Sequence, residues 1–308
     1  MKLRLLIICF CLARGAAAQL TYQNLEVLYD SAIEYRNLKI IPIVEKERGT
    51  APAPQMLSLG RAIQKGLVTV TERGTASTEN VHWLRINNKS RIPLFIAGGE
   101  LMLGGRQDRM VTRDTVLIPN GRDQYVSVMC VEEGRWSNKE KKLSYFNYAN
   151  PRLRKVAGQS ANQVLIWREI FNQLDSNKIK SPTQSYLHQR IDKKMIALQE
   201  EYLRFFLQRI QRTDSTWVGF VCTSGAKIIG CDVFAGNSLF YDQLEPLLPG
   251  YIEDAIIKGS PSQVNDERVK KYLDPILTSE ESQEQYLKTK GKIYKYQGKT
   301  IHLTAFSE

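Results

Sequence analysis

Histidine is nearly missing from this 308-residue chain, with three copies, and cysteine is sparse, with five. His82, His188 and His302 are scattered, and no pair has the spacing of metal ligands, so no metal site is expected. Cys9 and Cys11 fall among the first eighteen residues. Cys130, Cys222 and Cys231 remain, an odd number that argues against a disulfide framework. A Cys222–Cys231 bridge is disfavoured, because counting from the turn at Ser224-Gly225 puts Cys222 opposite Ile228. The chain also lacks a Walker loop, a dinucleotide fingerprint, internal repeats and low-complexity tracts. No cofactor is expected. Beyond residue 18, no apolar run is long enough to cross a bilayer as a helix.

What is present at the start reads as an export signal over residues 1–18. Lys2 and Arg4 begin it, Leu5 to Ala13 form a short apolar run, and Ala16-Ala17-Ala18 precede Gln19 as a cleavage site. The mature protein is therefore expected in the periplasm or outside the cell. Removal of Lys2, Arg4 and Arg14, with no acid, takes the formal charge from +11 to +8. That balance favours small anionic partners. The basic runs Lys139-Glu140-Lys141-Lys142 and Arg152-Leu153-Arg154-Lys155 flank Tyr145, Phe146 and Tyr148, a pattern that single-stranded nucleic acid can use. The simpler reading is a solvated loop entering a helix, so nucleic acid is not expected as a partner.

Residues 19–308 are expected to form one α+β domain, strand-rich over 19–150 and helix-rich over 151–308. An antiparallel meander or mixed sheet is packed by amphipathic helices. Strand patterns cover Leu25 to Val44, Leu67 to Thr71, Val81 to Ile86 and Ile92 to Ile96, and Thr50 to Pro54 reads as a loop. Val164, Trp167, Phe171 and Leu174 recur at helical spacing, as do Leu187, Ile191, Met195, Leu198, Tyr202 and Phe205. Both stripes are expected to face the core. Trp217 to Cys222 and Ala226 to Phe234 are strands. Leu239 to Ile257 reads as a helix that Pro246 and Pro249 must break or bend. A final hairpin turns at Gln297-Gly298, where lysines protect an edge strand.

Two polar clusters stand out: Gly104-Gly105-Arg106-Gln107-Asp108-Arg109 and Glu132-Glu133-Gly134-Arg135-Trp136. Between them, Met110 to Ile118 and Gln124 to Val131 have strand character, joined by Pro119-Asn120-Gly121. A tight Asn-Gly hairpin centred on Gly121 puts Arg109 opposite Glu133 and Arg106 opposite Trp136. Arg106, Arg109 and Arg135 are planar forks suited to phosphate or carboxylate. Gln107, Asp108 and Glu133 add polar partners, and Trp136 offers a stacking face. Glu100 and Glu132 are the carboxylates that could activate water. The competing account of the same residues is an arginine–carboxylate network that pins two loops. Cys130 alternates with Val126 and Val128 on one strand face, which favours a buried thiol over a nucleophile. Asp232, between Cys231 and Val233, is either a buried functional carboxylate or a turn cap.

Several of these segments resemble a family. Gly99-Glu100-Leu101 through Arg109, then Leu117-Ile118-Pro119, then Cys130 through Trp136 are similar to the core motifs of the ARG-and-Rhodanese-Phosphatase-superfamily-associated protein domain, where ARG stands for ADP-ribosylglycohydrolase. Gln163-Val164 with Trp167, and Gly230 with Asp232-Val233-Phe234, resemble its weaker motifs. The likeness runs from about Asn37 to Ala255. It implies proximity to ADP-ribose or nucleotide metabolism, and shared polar residues at Glu100, Arg106, Gln107, Arg109, Glu132, Arg135 and Trp136. The expected function is binding, with or without processing, of a nucleotide-like or phosphorylated anion. The alternatives are an exported structural or interaction protein, and a hydrolase using Glu100 or Glu132.

Overall fold

The computed structural model describes residues 20–46, 54–72, 80–138, 142–190, 193–210 and 216–307. The expected export signal (1–18), residues 50–53 of the expected loop, Lys139 to Lys141 and Ile191 lie outside them. The first half supplies β1 (Leu25–Val27), β2 (Ile33–Tyr35), β3 (Leu38–Glu45), β4 (Leu57–Ser58), α1 (Leu59–Gln64), β5 (Val68–Glu72), β6 (Trp83–Asn88) and β7 (Leu94–Ile96). It continues with β8 (Glu100–Gly104), β9 (Arg109–Val111), β10 (Thr115–Leu117), β11 (Gln124–Cys130) and β12 (Leu143–Tyr148). Helices α2 (Pro151–Ser160), α3 (Gln163–Ser176) and α4 (Lys193–Arg209) follow. The chain ends with β13 (Trp217–Ser224), β14 (Lys227–Phe234), α5 (Asn237–Lys258), α6 (Asp266–Leu277), α7 (Glu280–Lys290), β15 (Gly291–Tyr296) and β16 (Lys299–Phe306). The architecture is α+β, with mostly antiparallel sheets.

Two large sheets each pack layers against both faces of their central strands. One has the order β1-β3-β13-β14-β16-β15, with β2 on β3; the other runs β12-β8-β9-β11-β6-β5. Alternation along a strand sends successive side chains to opposite layers. In the first sheet, Ile40, Cys222 and Phe234 meet α5 and α4, while Ile41, Cys231 and Val233 meet α6 and α7. In the second, Met102, Val111 and Val128 face the small sheet β10-β7-β4, while Leu101, Met110 and Met129 face α2 and α3. At about 25 cal/mol per Å² of apolar surface, these four layers dominate the favourable side of folding.

Several expectations need correction. The meander between Met110 and Val131 is not a two-strand hairpin. β9 pairs β11 with Arg109 opposite Cys130, not Glu133. Beyond Thr112 the chain departs, and β10 pairs β7 in another sheet. Asn88 explains the departure: its side chain donates to the Ile118 carbonyl, and its N–H bonds the Gly121 carbonyl, so the 118–121 turn docks on β6. On α3, Leu174 is buried and Trp167 packs on the core as expected, but Val164 and Phe171 are 66% and 52% exposed, and Ile166, Ile170 and Gln173 face inward in their place. The helix carries more apolar positions than one face can use, so periodicity alone does not set its rotation. Residues 187 to 205 do not form one helix: Leu187 lies in a 3-10 turn, Tyr186–Gln189, before α4. Helix α5 continues through Pro246 and Pro249, because burial of twelve of its residues outweighs the lost hydrogen bonds. Thr223 is opposite Ile228, but an irregularity after it places Cys222 opposite Gly230. Cys222 and Cys231 then face opposite layers, and no disulfide forms among the described residues.

Candidate functional site

The two polar clusters do meet. Ser137 N–H donates to the Arg106 carbonyl, one position from the expected partner, and Val131 N–H donates to Asp108. The reach of Arg135 closes the contact. Its Nε donates to Glu132 at 2.6 Å, and one Nη donates to Asp108 at 2.9 Å. The guanidinium also bonds the carbonyls of Gly104, Gly105 and Arg106. Arg106 is ion-paired to buried Glu72 at 2.8 Å, and Arg109 lies 3.6 Å from the same carboxylate. Gln107 donates its side-chain amide to the Glu132 carbonyl, and Thr183 donates its hydroxyl to the Glu132 carboxylate. Arg106, Gln107, Asp108, Arg109, Glu132 and Arg135 thus spend their polar contacts on one another, on Glu72 and Thr183, or on main chain. Glu133 and Trp136 stay exposed at the rim. Gly105 sits in the left-handed region at φ +55°, where a Cβ would meet Glu72 at 2.8 Å, so this turn requires glycine.

Gln163 shows how a weak motif acts. Its side-chain oxygen accepts the Cys130 N–H at 2.8 Å, and its amide donates to the Cys130 carbonyl at 2.7 Å. The side chain replaces a neighbouring strand for Cys130, whose thiol is buried as expected. The basic run behaves differently from a solvated loop: Arg152 pairs with Asp254, and Arg154 turns fully inward.

Arg154 leads to a second polar centre between the two sheet systems. Asp232, on β14, receives both ends of the Arg154 guanidinium, at 2.6 and 3.0 Å. Tyr251 donates to it at 2.5 Å, and His302 Nε2 lies 3.0 Å away. The other nitrogen, His302 Nδ1, lies 2.6 Å from Asp114, whose second oxygen accepts the Gly98 N–H at 2.7 Å. Helix α2, strands β14 and β16, and the loop before β10 each supply one charged member. Asp232 is therefore buried, and it does not cap the turn that follows. Burial alone would lower the His302 pKa; Asp114 and Asp232 outweigh it and raise it to about 9. Burial alone would raise the Asp232 pKa, but Arg154 and His302 hold it well below the usual carboxylate range. The imidazolium lies flat on Phe234, 4.2 Å away at 5°. Close by, Glu100 is wholly buried and accepts from Ala97 N–H and the Tyr145 hydroxyl. Burial pushes its pKa up to about 8, so it is protonated near neutrality.

This centre forms one side of a cavity of about 460 Å³. Asp114, Arg154 and Thr304 line it, with Arg113, Lys292, Tyr294 and Phe306 around them. Gly99, at φ +101°, packs on Arg154: a Cβ there would lie 2.7 Å from its Cγ. Neither Glu100 nor Glu132 lines this cavity. Sequence reasoning flagged Asp232 and missed the roles of Asp114, Arg154 and His302. One signal was available: His302, like Asp232, is a lone ionisable residue inside an apolar strand. Among the described residues, no group of three His, Cys, Asp or Glu side chains could hold a metal ion.

The fold and this centre define an α+β protein with a charged seam beside a ligand-sized cavity. The chain belongs to the ARPP-1 family, the ARG and Rhodanese-Phosphatase-superfamily-associated Protein domain, whose model matches residues 26–306. The match extends past the 37–255 span at both ends and takes in His302. Comparison with curated proteins and with solved structures found no match.

Proposed function

We propose that this chain is an exported protein that binds a small nucleotide-like or phosphorylated anion, of the ADP-ribose type, in the cavity beside Arg154. The observation that carries this reading is the charge of the lining. Asp114, His302, Asp232 and Arg154 balance one another in ionised form. Arg113 and Lys292 then add two positive charges with no carboxylate partner among the described residues. Tyr294 and Phe306 offer apolar surface to a ring, and the volume falls within the roughly 300–1,000 Å³ of ligand pockets. Export rests on residues 1–18, and the family description adds a link to ADP-ribosylglycohydrolases.

The interaction-protein alternative keeps one supporting observation. Arg135 spans three carbonyls and two carboxylates, which suits a lock between loops better than a ligand fork. Calorimetric titration of ADP-ribose, adenosine monophosphate and orthophosphate separates the two readings. The double variant Arg113→Ala/Lys292→Ala should lose on the order of tenfold affinity or more. Arg106→Ala should lower Tm and leave affinity intact. Loss of binding in Arg106→Ala alone would return the site to the polar clusters. Absence of binding by wild-type protein would remove the anion reading.

A further inference from the structure

We propose that Asp114 determines the specificity of this cavity, and that the anion it selects carries sugar-type hydroxyl groups. The ligand class is a sugar phosphate rather than a bare or aryl phosphate. This rests on the anion reading above and narrows it.

Asp114 lines the cavity with its side chain one-tenth exposed. Both oxygens are held, one by the Gly98 N–H and the other by His302 Nδ1. His302 is itself fixed by Asp232 and by the face of Phe234. A carboxylate anchored in this way cannot swing aside when a ligand enters. Toward a bare anion it is repulsive, and low local dielectric magnifies the effect. A hydroxyl donor changes the sign. An ionised carboxylate has about four acceptor sites. The hydrogen bonds on the two Asp114 oxygens therefore leave capacity for a ligand O–H. Such charge-assisted bonds are the stronger kind.

The neighbours divide the work. Arg113 precedes Asp114 in the chain, and Lys292 reaches the cavity from β15, where its stem lies over Gly158. Two cations, Lys292 and Arg113 with its guanidinium over the Trp83 ring, beside a rigid acceptor match a molecule in which phosphate and hydroxyls are separate groups. An aryl phosphate would satisfy the cations and leave the remaining acceptor sites of Asp114 desolvated with no ligand donor, at the cost of an unmade hydrogen bond.

The test is titration of the purified protein at pH 7 with ribose 5-phosphate, phenyl phosphate and orthophosphate. Wild-type protein should bind ribose 5-phosphate on the order of tenfold more tightly than phenyl phosphate. Asp114→Asn should erase that preference, while orthophosphate affinity holds or rises because the repulsion is gone. Equal wild-type affinity for the sugar and aryl esters overturns the role of Asp114 and leaves the anion reading standing. Binding of none of the three overturns both. Should Asp114→Asn fail to fold, the wild-type comparison still decides.

Discussion

Asp232 is the residue on which the seam turns. It is fully buried, yet it holds four polar contacts from Arg154, Tyr251 and His302. Replacing it with asparagine keeps the shape and removes the charge. Arg154 would then be a buried cation without its carboxylate, beside a His302 that keeps only Asp114. Breaking a buried ion pair in this manner costs roughly 3–5 kcal/mol, so urea unfolding of Asp232→Asn should show a loss of that order. A loss below about 1 kcal/mol would mean that the pairing contributes little. Gly99 gives a second test at this scale. A methyl at φ +101°, 2.7 Å from the Arg154 Cγ, strains the backbone and displaces the guanidinium. Gly99→Ala should therefore be destabilised by about 1–3 kcal/mol and should also lose ligand affinity. A fully stable variant with unchanged affinity would show that Arg154 can move at no cost.

Elements are joined here by side chains that imitate main chain. Gln163 at the start of α3 bonds both polar groups of Cys130, and so fixes the helix against the end of β11. Arg135 does the same for the 104–108 turn, with donors to three successive carbonyls. Lysine cannot reproduce that planar fork. Arg135→Lys should consequently lose about as much stability as Arg135→Ala, on the order of 2 kcal/mol by chemical denaturation. Full rescue by lysine would show that charge alone matters. At this scale turn residues fix the reversal of the chain but not the sheet each flanking strand joins. The turn at Gln297-Gly298 followed from its residues, and both now sit at positive φ, 50° and 77°. The Asn120 turn looked equally strong, with φ 49° as such turns require, but its flanking strands enter different sheets. Local turn chemistry set the reversal. Asn88, thirty residues away, decided where the strands went.

For the whole molecule, the seam and its neighbour Glu100 make stability fall with rising pH above about 4.5, while Asp232, held ionised by Arg154 and His302, acts with the opposite sign in stronger acid. The folded pKa of His302, about 9, lies above its unfolded value near 6.5. Between those limits the native state keeps a proton that the unfolded chain has released, so stability falls as pH rises. Glu100 acts with the same sign in a lower window. Its native pKa is about 8 and its unfolded value about 4.5, so the native state again holds the extra proton. Tm should therefore decline steadily from pH 6.5 to 9, as unfolding free energy falls by up to about 1.4 kcal/mol per pH unit through His302. Glu100→Gln should flatten the part of the curve between pH 4.5 and 8 and leave the His302 part intact. Constant stability from pH 5 to 9 would show that neither proton is retained. The location of these groups explains the size of the effect. They lie where the β14–β16 sheet meets the loops before β8 and β10, out of reach of solvent screening.

Residue order by itself determined the α+β class, most strand and helix positions, the reversal at Gln297-Gly298 and the meeting of the Gly104 and Glu132 segments. Each of these follows from short-range periodicity, turn residues or a single nearby strand pairing. Only tertiary structure decided that Asp114, Arg154, Asp232 and His302 share one buried centre, because they come from four separate segments. Burial also chose which face of α3 points inward and carried α5 through two prolines, since apolar area gained across layers outweighs local preference. A lone charged residue in an apolar strand signals that a partner must exist. Which partner it finds depends on how the layers pack.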